Sequence, residues 1–228
     1  MLRMNEQQLR ELMQVEDRAL LALSSHKSIV KYFGLVPEAQ YYKSNGTQQR
    51  VAYLIFKLLP NGDMFDQVSQ CGPFKERLTR YFGRQLLDVM HYMNTRGVAN
   101  RDLKLENLMI DENFDLNVVD FGFACSIHGK QGNGLNQETL GTDGYMAPEV
   151  HMKTGYQGQV VDLFALGVSL FILYAGFKPF ESATFDDPHY KLLAQYKSQQ
   201  FWRMHEQGMP RGFFSQSFKD LITVMLSF

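Results

Sequence analysis

The chain is poor in the residues that would announce a disulfide framework, a thiolate metal site or a membrane span. Its 228 residues include two cysteines, Cys71 and Cys125, far apart and with no Cys-x-x-Cys spacing. That count argues against a disulfide-stapled fold or a cysteine-based zinc site and fits a reducing compartment, so we expect an intracellular protein, cytoplasmic or nuclear. The six histidines show no His-Glu-x-x-His or related spacing of a catalytic metal site. Neither sign of charge is in excess. Lys and Arg number 23 against 24 Asp and Glu, a net charge of −1, and no bulk attraction to nucleic acid or to a membrane surface is expected. No secretory leader is read in the amphipathic, charged N-terminus, and Asn45-Gly46-Thr47 reads as a polar turn rather than a glycan acceptor.

Long hydrophobic runs are scarce too. In residues 160–180 the uncharged core between Asp162 and Lys178 is 15 residues, short of the roughly 20 that span a bilayer. A helix apolar on every side is instead expected at the centre of a large core. Composition supports such a core, with 45% apolar and 21% charged residues.

Along the chain, residues 6–23 read as a helix whose apolar face carries Leu9, Leu12, Met13, Val15, Leu20 and Leu23. Two strand-like runs follow, 28–35 and 51–59, divided by a polar stretch containing Asn45-Gly46. Pro60-Asn61-Gly62-Asp63 is a turn signal and the expected boundary between a small part, 1–59, and a larger one, 60–228. Beyond it the chain becomes mainly helical: a short helix at 64–69, a long one over 73–96, and others at 160–175, 189–204 and 217–227. Short strands are expected at 108–110 and 116–119, and 121–143 reads as a functional loop. The order implies an α+β fold in two unequal lobes, the first holding a helix and two or three strands.

The chemistry concentrates in two short stretches. Asp102, Lys104 and Asn107 fall within six residues, and Asp120-Phe121-Gly122 follows. Mg²⁺ takes hard oxygen ligands, commonly one or two from protein and more from phosphates, and Asn107 and Asp120 offer such oxygens. Asp102 can accept the proton of an incoming hydroxyl, and Lys104 can offset charge on a phosphoryl group in flight. That set meets the demands of phosphoryl transfer, which rests on positioning and charge stabilisation.

The succession RDLKLEN (101–107), DFG (120–122), GTDGYMAPE (141–149) and VDLFALGV (161–168) resembles the eukaryotic protein kinases. The lysine two residues after Asp102, and Gly141-Thr142 ahead of Ala147-Pro148-Glu149, are similar to the Ser/Thr class. Within it, the tone is closest to the calcium/calmodulin-dependent and energy-sensing group. The resemblance implies a kinase fold, ATP and Mg²⁺ as cofactors, and transfer to protein Ser or Thr hydroxyls. It implies Asp102 as base, Lys104 on the γ-phosphate, Asn107 and Asp120 on Mg²⁺, and Phe121 packed beneath the first helix. It further implies Phe56 as gatekeeper, backbone bonds to adenine from Lys57 and Leu59, Asp63 at the ribose and Met109 under the base. Glu16 matches the ion-pairing glutamate of the first helix.

Several features depart from the pattern. Asn100 stands where a histidine usually precedes Arg101-Asp102, and its buried amide must find hydrogen bonds. Glu138 stands where the activation loop often carries a phosphorylated threonine, and it is expected to pair with Arg101 and weakly imitate that charge; Thr139 remains a candidate phosphosite and Thr142 completes the loop's site residues. No glycine-rich strand pair or phosphate-binding lysine strand is found, and the arginine partner of Glu149 is not found either. The chain is therefore expected to be a kinase domain truncated at both ends and of marginal stability alone, with Met225, Leu226 and Phe228 on a packing face that continues. Asp63 and Glu106 match acidic positions that favour a single arginine three residues before the phosphoacceptor. Two readings stay open: an active Ser/Thr kinase domain, or a catalytically impaired, pseudokinase-like interaction module.

Overall fold

The first helix, α1 (Glu6–Leu23), forms over the apolar spacing read above, burying Ala19, Leu20 and Leu23 while Leu9 and Leu21 stay exposed. The structure is a computed structural model and describes residues 6–227. Residues 28–30 depart from the strand expected at 28–35. They lie beside β5 (Leu116–Val118) in the larger part: Val30 N–H donates to the Val118 carbonyl (3.1 Å) and Val118 N–H to that of Ser28 (2.9 Å). Ile29 and Val30 are thereby buried, so these apolar residues serve the core and not the ribbon.

Strand β1 (Tyr32–Tyr42) starts later and pairs antiparallel with β2 (Gln48–Phe56). Pro37 lies within β1 at an irregularity between Val36 and Ala39, where a residue without an N–H breaks no ladder bond. The turn is closed by Gly46 at φ 80° and by Thr47 N–H donating to Asn45 Oδ1 (3.0 Å). Strand β2 ends at Phe56 instead of 59, and 57–59 cross to the larger part outside any strand or helix.

There, α2 (Met64–Cys71) is capped by Asp63, and α3 (Glu76–Thr95) buries Phe82, Leu86, Val89, Met90 and Met93 along one face. Short pairs β3 (Val98–Ala99) with β6 (Cys125–Ser126), and β4 (Leu108–Ile110) with β5, hold the loops between them. Beyond α4 (Pro148–Met152) runs α5 (Gly158–Ala175), the long apolar run. Among the described residues it is the one helix long and apolar enough to cross a membrane, yet 83% of that window is buried inside the protein. It is the expected central helix, covered by α3 and α8 (Gln216–Leu226).

The helix expected over 189–204 is two, α6 (Tyr190–Ala194) and α7 (Ser198–His205). Tyr196 between them takes φ 56°, and Lys197 N–H turns back to the Leu192 carbonyl (2.7 Å), the bond pattern of a helix stop. Met225 and Leu226 are buried against α5, whereas Phe228 lies outside the described residues. Buried apolar residues from α1 to α8 form one continuous cluster, Leu20 and Leu23 sharing it with Phe121 and Phe171.

Candidate active site

The site rests on α5. Asp162, a lone carboxylate in that apolar helix, is buried and accepts the backbone N–H groups of Asn100 and Arg101, both at 2.7 Å. Burial pushes its carboxyl up to about 6, against the pull of those two N–H groups and of Arg101. The two bonds pin the backbone at Arg101, which takes φ 68°, a left-handed conformation uncommon for a side chain of this size. Sequence reasoning gave Asp162 no role; the signal was an acid placed where the helical pattern called for an apolar residue.

From this anchor the loop presents Asp102, which is 7% exposed. Its Oδ2 accepts from Lys104 Nζ (2.8 Å) and its Oδ1 from the Thr142 hydroxyl (2.7 Å), while Lys104 Nζ also reaches Thr142 Oγ1 (2.8 Å). Asn107, in the 3₁₀ turn Leu105–Asn107, donates through Nδ2 to the Asp102 carbonyl (3.0 Å) and to Oδ2 (3.3 Å). With the amide nitrogen so engaged, Asn107 Oδ1 is left as an oxygen donor.

Asp120 is exposed at φ 60°, with Oδ1 accepting from Gly122 N–H (3.1 Å). Next to it Phe121 is fully buried, and its N–H donates to Glu16 Oε1 on α1 (3.2 Å). Burial raises the Glu16 carboxyl above its ordinary range, the Phe121 N–H opposes this, and the charge of Asp120 adds to it. Among the described residues no group of three or more His, Cys, Asp or Glu is placed to hold a metal ion. The Asp120 carboxylate and Asn107 Oδ1 are hard oxygens of the kind that Mg²⁺ takes alongside phosphate and water oxygens.

The segment 123–156 is tied to the loop of Asp102 by Arg101, whose side chain is 6% exposed. Its Nε donates to the Phe123 carbonyl (2.8 Å), and Nη1 donates to Glu138 Oε2 and to the Tyr156 hydroxyl, both at 3.1 Å. Tyr156 in turn donates to the Glu138 carbonyl (2.7 Å), and Lys130 pairs with the other Glu138 oxygen. Burial would raise the Glu138 carboxyl, but Lys130, its own backbone and Arg101 outweigh it and hold it at about 2. Thr139 is exposed beside this cluster.

The residues assigned to adenine and ribose line the crossing between the two parts. Leu59 is buried, Phe56 and Met109 are half-buried, and Met109 lies in a bridge with Asp63. Two of these have other engagements that sequence reasoning did not foresee. Lys57 N–H donates to the Lys31 carbonyl (2.8 Å), leaving its own carbonyl for a ligand, and its ammonium pairs with Glu112 (2.6 Å). Asp63 Oδ1 accepts from Asp66 N–H (2.8 Å) as the cap of α2, so one carboxylate oxygen is already committed.

A family model of the protein kinase domain matches residues 2–228. Similar curated proteins include CBL-interacting serine/threonine-protein kinase 20 of Arabidopsis thaliana, 41% identical over 140 residues, which are 61% of this chain and 32% of that protein. CBL-interacting protein kinase 15 of Oryza sativa subsp. japonica is 33% identical over 202 residues, 89% of this chain and 42% of that protein. CBL-interacting protein kinase 26 of the same species is 34% identical over 209 residues, 91% and 38%. The chain thus spans about a third to two-fifths of the length of these relatives. With the family model covering nearly its whole length, the chain belongs to the protein kinase domain family.

Proposed function

We propose that this chain is a Ser/Thr protein kinase domain that transfers the γ-phosphoryl group of ATP, with Mg²⁺, to protein Ser or Thr hydroxyls. The observation that carries the reading is the triangle of Asp102, Lys104 and Thr142, closed at 2.7–2.8 Å. An incoming hydroxyl that displaces Thr142 at Asp102 Oδ1 is held by the base, which takes its proton as the oxygen attacks the γ-phosphorus and the bond to the β–γ bridging oxygen breaks, ADP leaving with that electron pair. Lys104, already at the other carboxylate oxygen, lies where charge builds on the phosphoryl oxygens and stabilises it. Mg²⁺, when bound, would supply further neutralisation of phosphate charge. Asn107 and Asp120 would hold it, and the backbone of 57–59 would orient the adenine. The exposed Glu106 and the Asp63 carboxylate support a preference for one arginine upstream of the acceptor.

The test is phosphate transfer from Mg²⁺–ATP to a peptide pool by the purified chain, against Asp102→Asn. That substitution keeps the shape and removes the base, so transfer should fall at least about 10²-fold, the usual worth of a positioned general base. Equal rates would overturn the assignment. One observation favours the second reading, an impaired interaction module. Among the described residues no cation pairs with Glu16, and its partner is the Phe121 N–H. ATP binding seen by thermal shift without any transfer would support that reading instead.

A further inference from the structure

We propose that Lys178 is a specificity-determining residue that selects an acidic side chain close to the phosphoacceptor of the protein substrate. This rests on the kinase reading above and adds to its arginine preference a second requirement of opposite charge. One wall of the acceptor site is the turn that follows Thr142. The Thr142 hydroxyl holds Asp102 Oδ1 at 2.7 Å, and its carbonyl accepts the N–H groups of Tyr145 (3.0 Å) and Met146 (3.2 Å). Gly144 lies inside that turn at φ 86°, a conformation that favours glycine. A Cβ there would stand 3.3 Å from Lys178 Nζ, 3.5 Å from Lys178 Cε and 3.4 Å from the Glu181 carbonyl oxygen. The end of the Lys178 side chain therefore rests on the bare face of Gly144, two residues along the chain from Thr142. Two residues span at most about 7 Å of chain, and an extended peptide advances about 3.3 Å per residue. A substrate hydroxyl that takes the place of Thr142 at Asp102 thus brings its neighbours in the peptide within reach of this ammonium.

Two other cations belong to the site, and both are already engaged. Lys104 is held by Asp102 and Thr142, and Arg101 by Phe123, Glu138 and Tyr156. Lys178 makes one ion pair among the described residues, with Glu181 Oε2 at 3.8 Å, too long for a hydrogen bond. Its side chain is 42% exposed and that of Glu181 is 86% exposed, so the pair is weak and a substrate carboxylate can displace Glu181. The stem of Lys178 is nevertheless fixed. Pro179 and Phe180 beside it are buried, and the Pro179 carbonyl lies 3.0 Å from Nε2 of the buried His205 on α7. With its backbone anchored and its tip laid on Gly144, Lys178 loses less freedom on meeting a carboxylate than a loose surface lysine would.

The test is phosphorylation by the full chain of peptides that share one Ser acceptor. Each carries a single Glu at one of the positions from three before to three after it, with Gln at the same position as its control. In wild type, kcat/KM for the Glu peptide should exceed that for the Gln peptide by about 3- to 5-fold at one or two positions, the worth of one half-exposed ion pair. Lys178→Ala should make the two peptides equal there, and Lys178→Glu should invert the preference, because like charges then face each other. Comparing two peptides within one protein cancels any loss of folding or of overall rate. Equal rates for Glu and Gln peptides at every position in wild type would overturn the proposal, as would the same preference in wild type, Lys178→Ala and Lys178→Glu. If wild type phosphorylates no peptide, the kinase reading fails, and binding of the same peptides, read by fluorescence anisotropy, decides the charge preference. Tighter binding of a Glu peptide that inverts in Lys178→Glu supports it, and equal affinities overturn it.

Discussion

Glu138 holds two cations at once, Arg101 on one oxygen and Lys130 on the other, and its pKa of about 2 lies below the ordinary carboxyl value of 4.5. A depressed folded-state pKa gives stability that is complete above 4.5 and is lost as pH falls through 2. Glu138→Gln should therefore melt lower than wild type at pH 6 by on the order of 2–4 °C, with the gap closing as the pH approaches 2. Parallel melting curves across that range would show that the carboxylate charge does not hold the loop. The same residue illustrates how far the sequence reaches. The pairing of Glu138 with Arg101 is implied by the family resemblance, as are the roles of Asp102, Lys104, Asn107 and Asp120. The Lys130 contact, the Asp162 anchor and the bond from Asn100 to Asp120 depend on chain segments brought together only by folding, and of these only Asp162 carries a local mark, an acid in an apolar helix.

Elements were legible where one pattern ruled, a helical periodicity in α1 and α3 and an unbroken apolar run in α5, and shifted where packing competed with it. Residues 28–30 are as strand-like as those after them, yet β5 claims them for the core, and β1 begins only at Tyr32. The split between α6 and α7 was illegible because Gln195-Tyr196-Lys197 contains no glycine or proline, and the left-handed Tyr196 that makes the stop carries no sequence signal. Close packing of α5 on α8 has a sharper signature. A Cβ at Gly167 would lie 2.9 Å from both Met225 Cβ and Leu226 Cδ2. Alanine gains about 1 kcal/mol of helix propensity there, but Met225 Cβ is fixed to the α8 backbone and cannot rotate away. Overpacking of this kind costs about 1–3 kcal/mol, so Gly167→Ala should lower stability by a net of up to about 2 kcal/mol, read as a lower denaturation midpoint. A raised midpoint would mean that α8 yields easily and that the contact is soft.

At the scale of the molecule, the division read at residues 59 and 60 meets a core that does not respect it. Leu20, Leu23, Ile29 and Val30 lie in the same buried cluster as Phe121 and Leu103, so α1 and residues 28–30 are fastened to the larger part. The β1–β2 ribbon differs, for neither strand contains a buried residue, and Phe33, Tyr41, Tyr42, Tyr53 and Ile55 stand exposed. A two-stranded ribbon without a covered apolar face is marginal in water, and segments with few buried contacts open locally at little free-energy cost. The effective boundary in stability should therefore fall around the ribbon, between Tyr32 and Phe56, and not at the turn that follows it. Amide exchange should be fast throughout β1 and β2 while α1, which shares the core, is protected alongside α3 and α5. A ribbon protected as well as α5, or an α1 that exchanges together with the ribbon, would place the boundary elsewhere. The contact of Glu16 with Phe121 N–H depends on which holds, because only an α1 that stays docked keeps that carboxylate against the loop of Asp120.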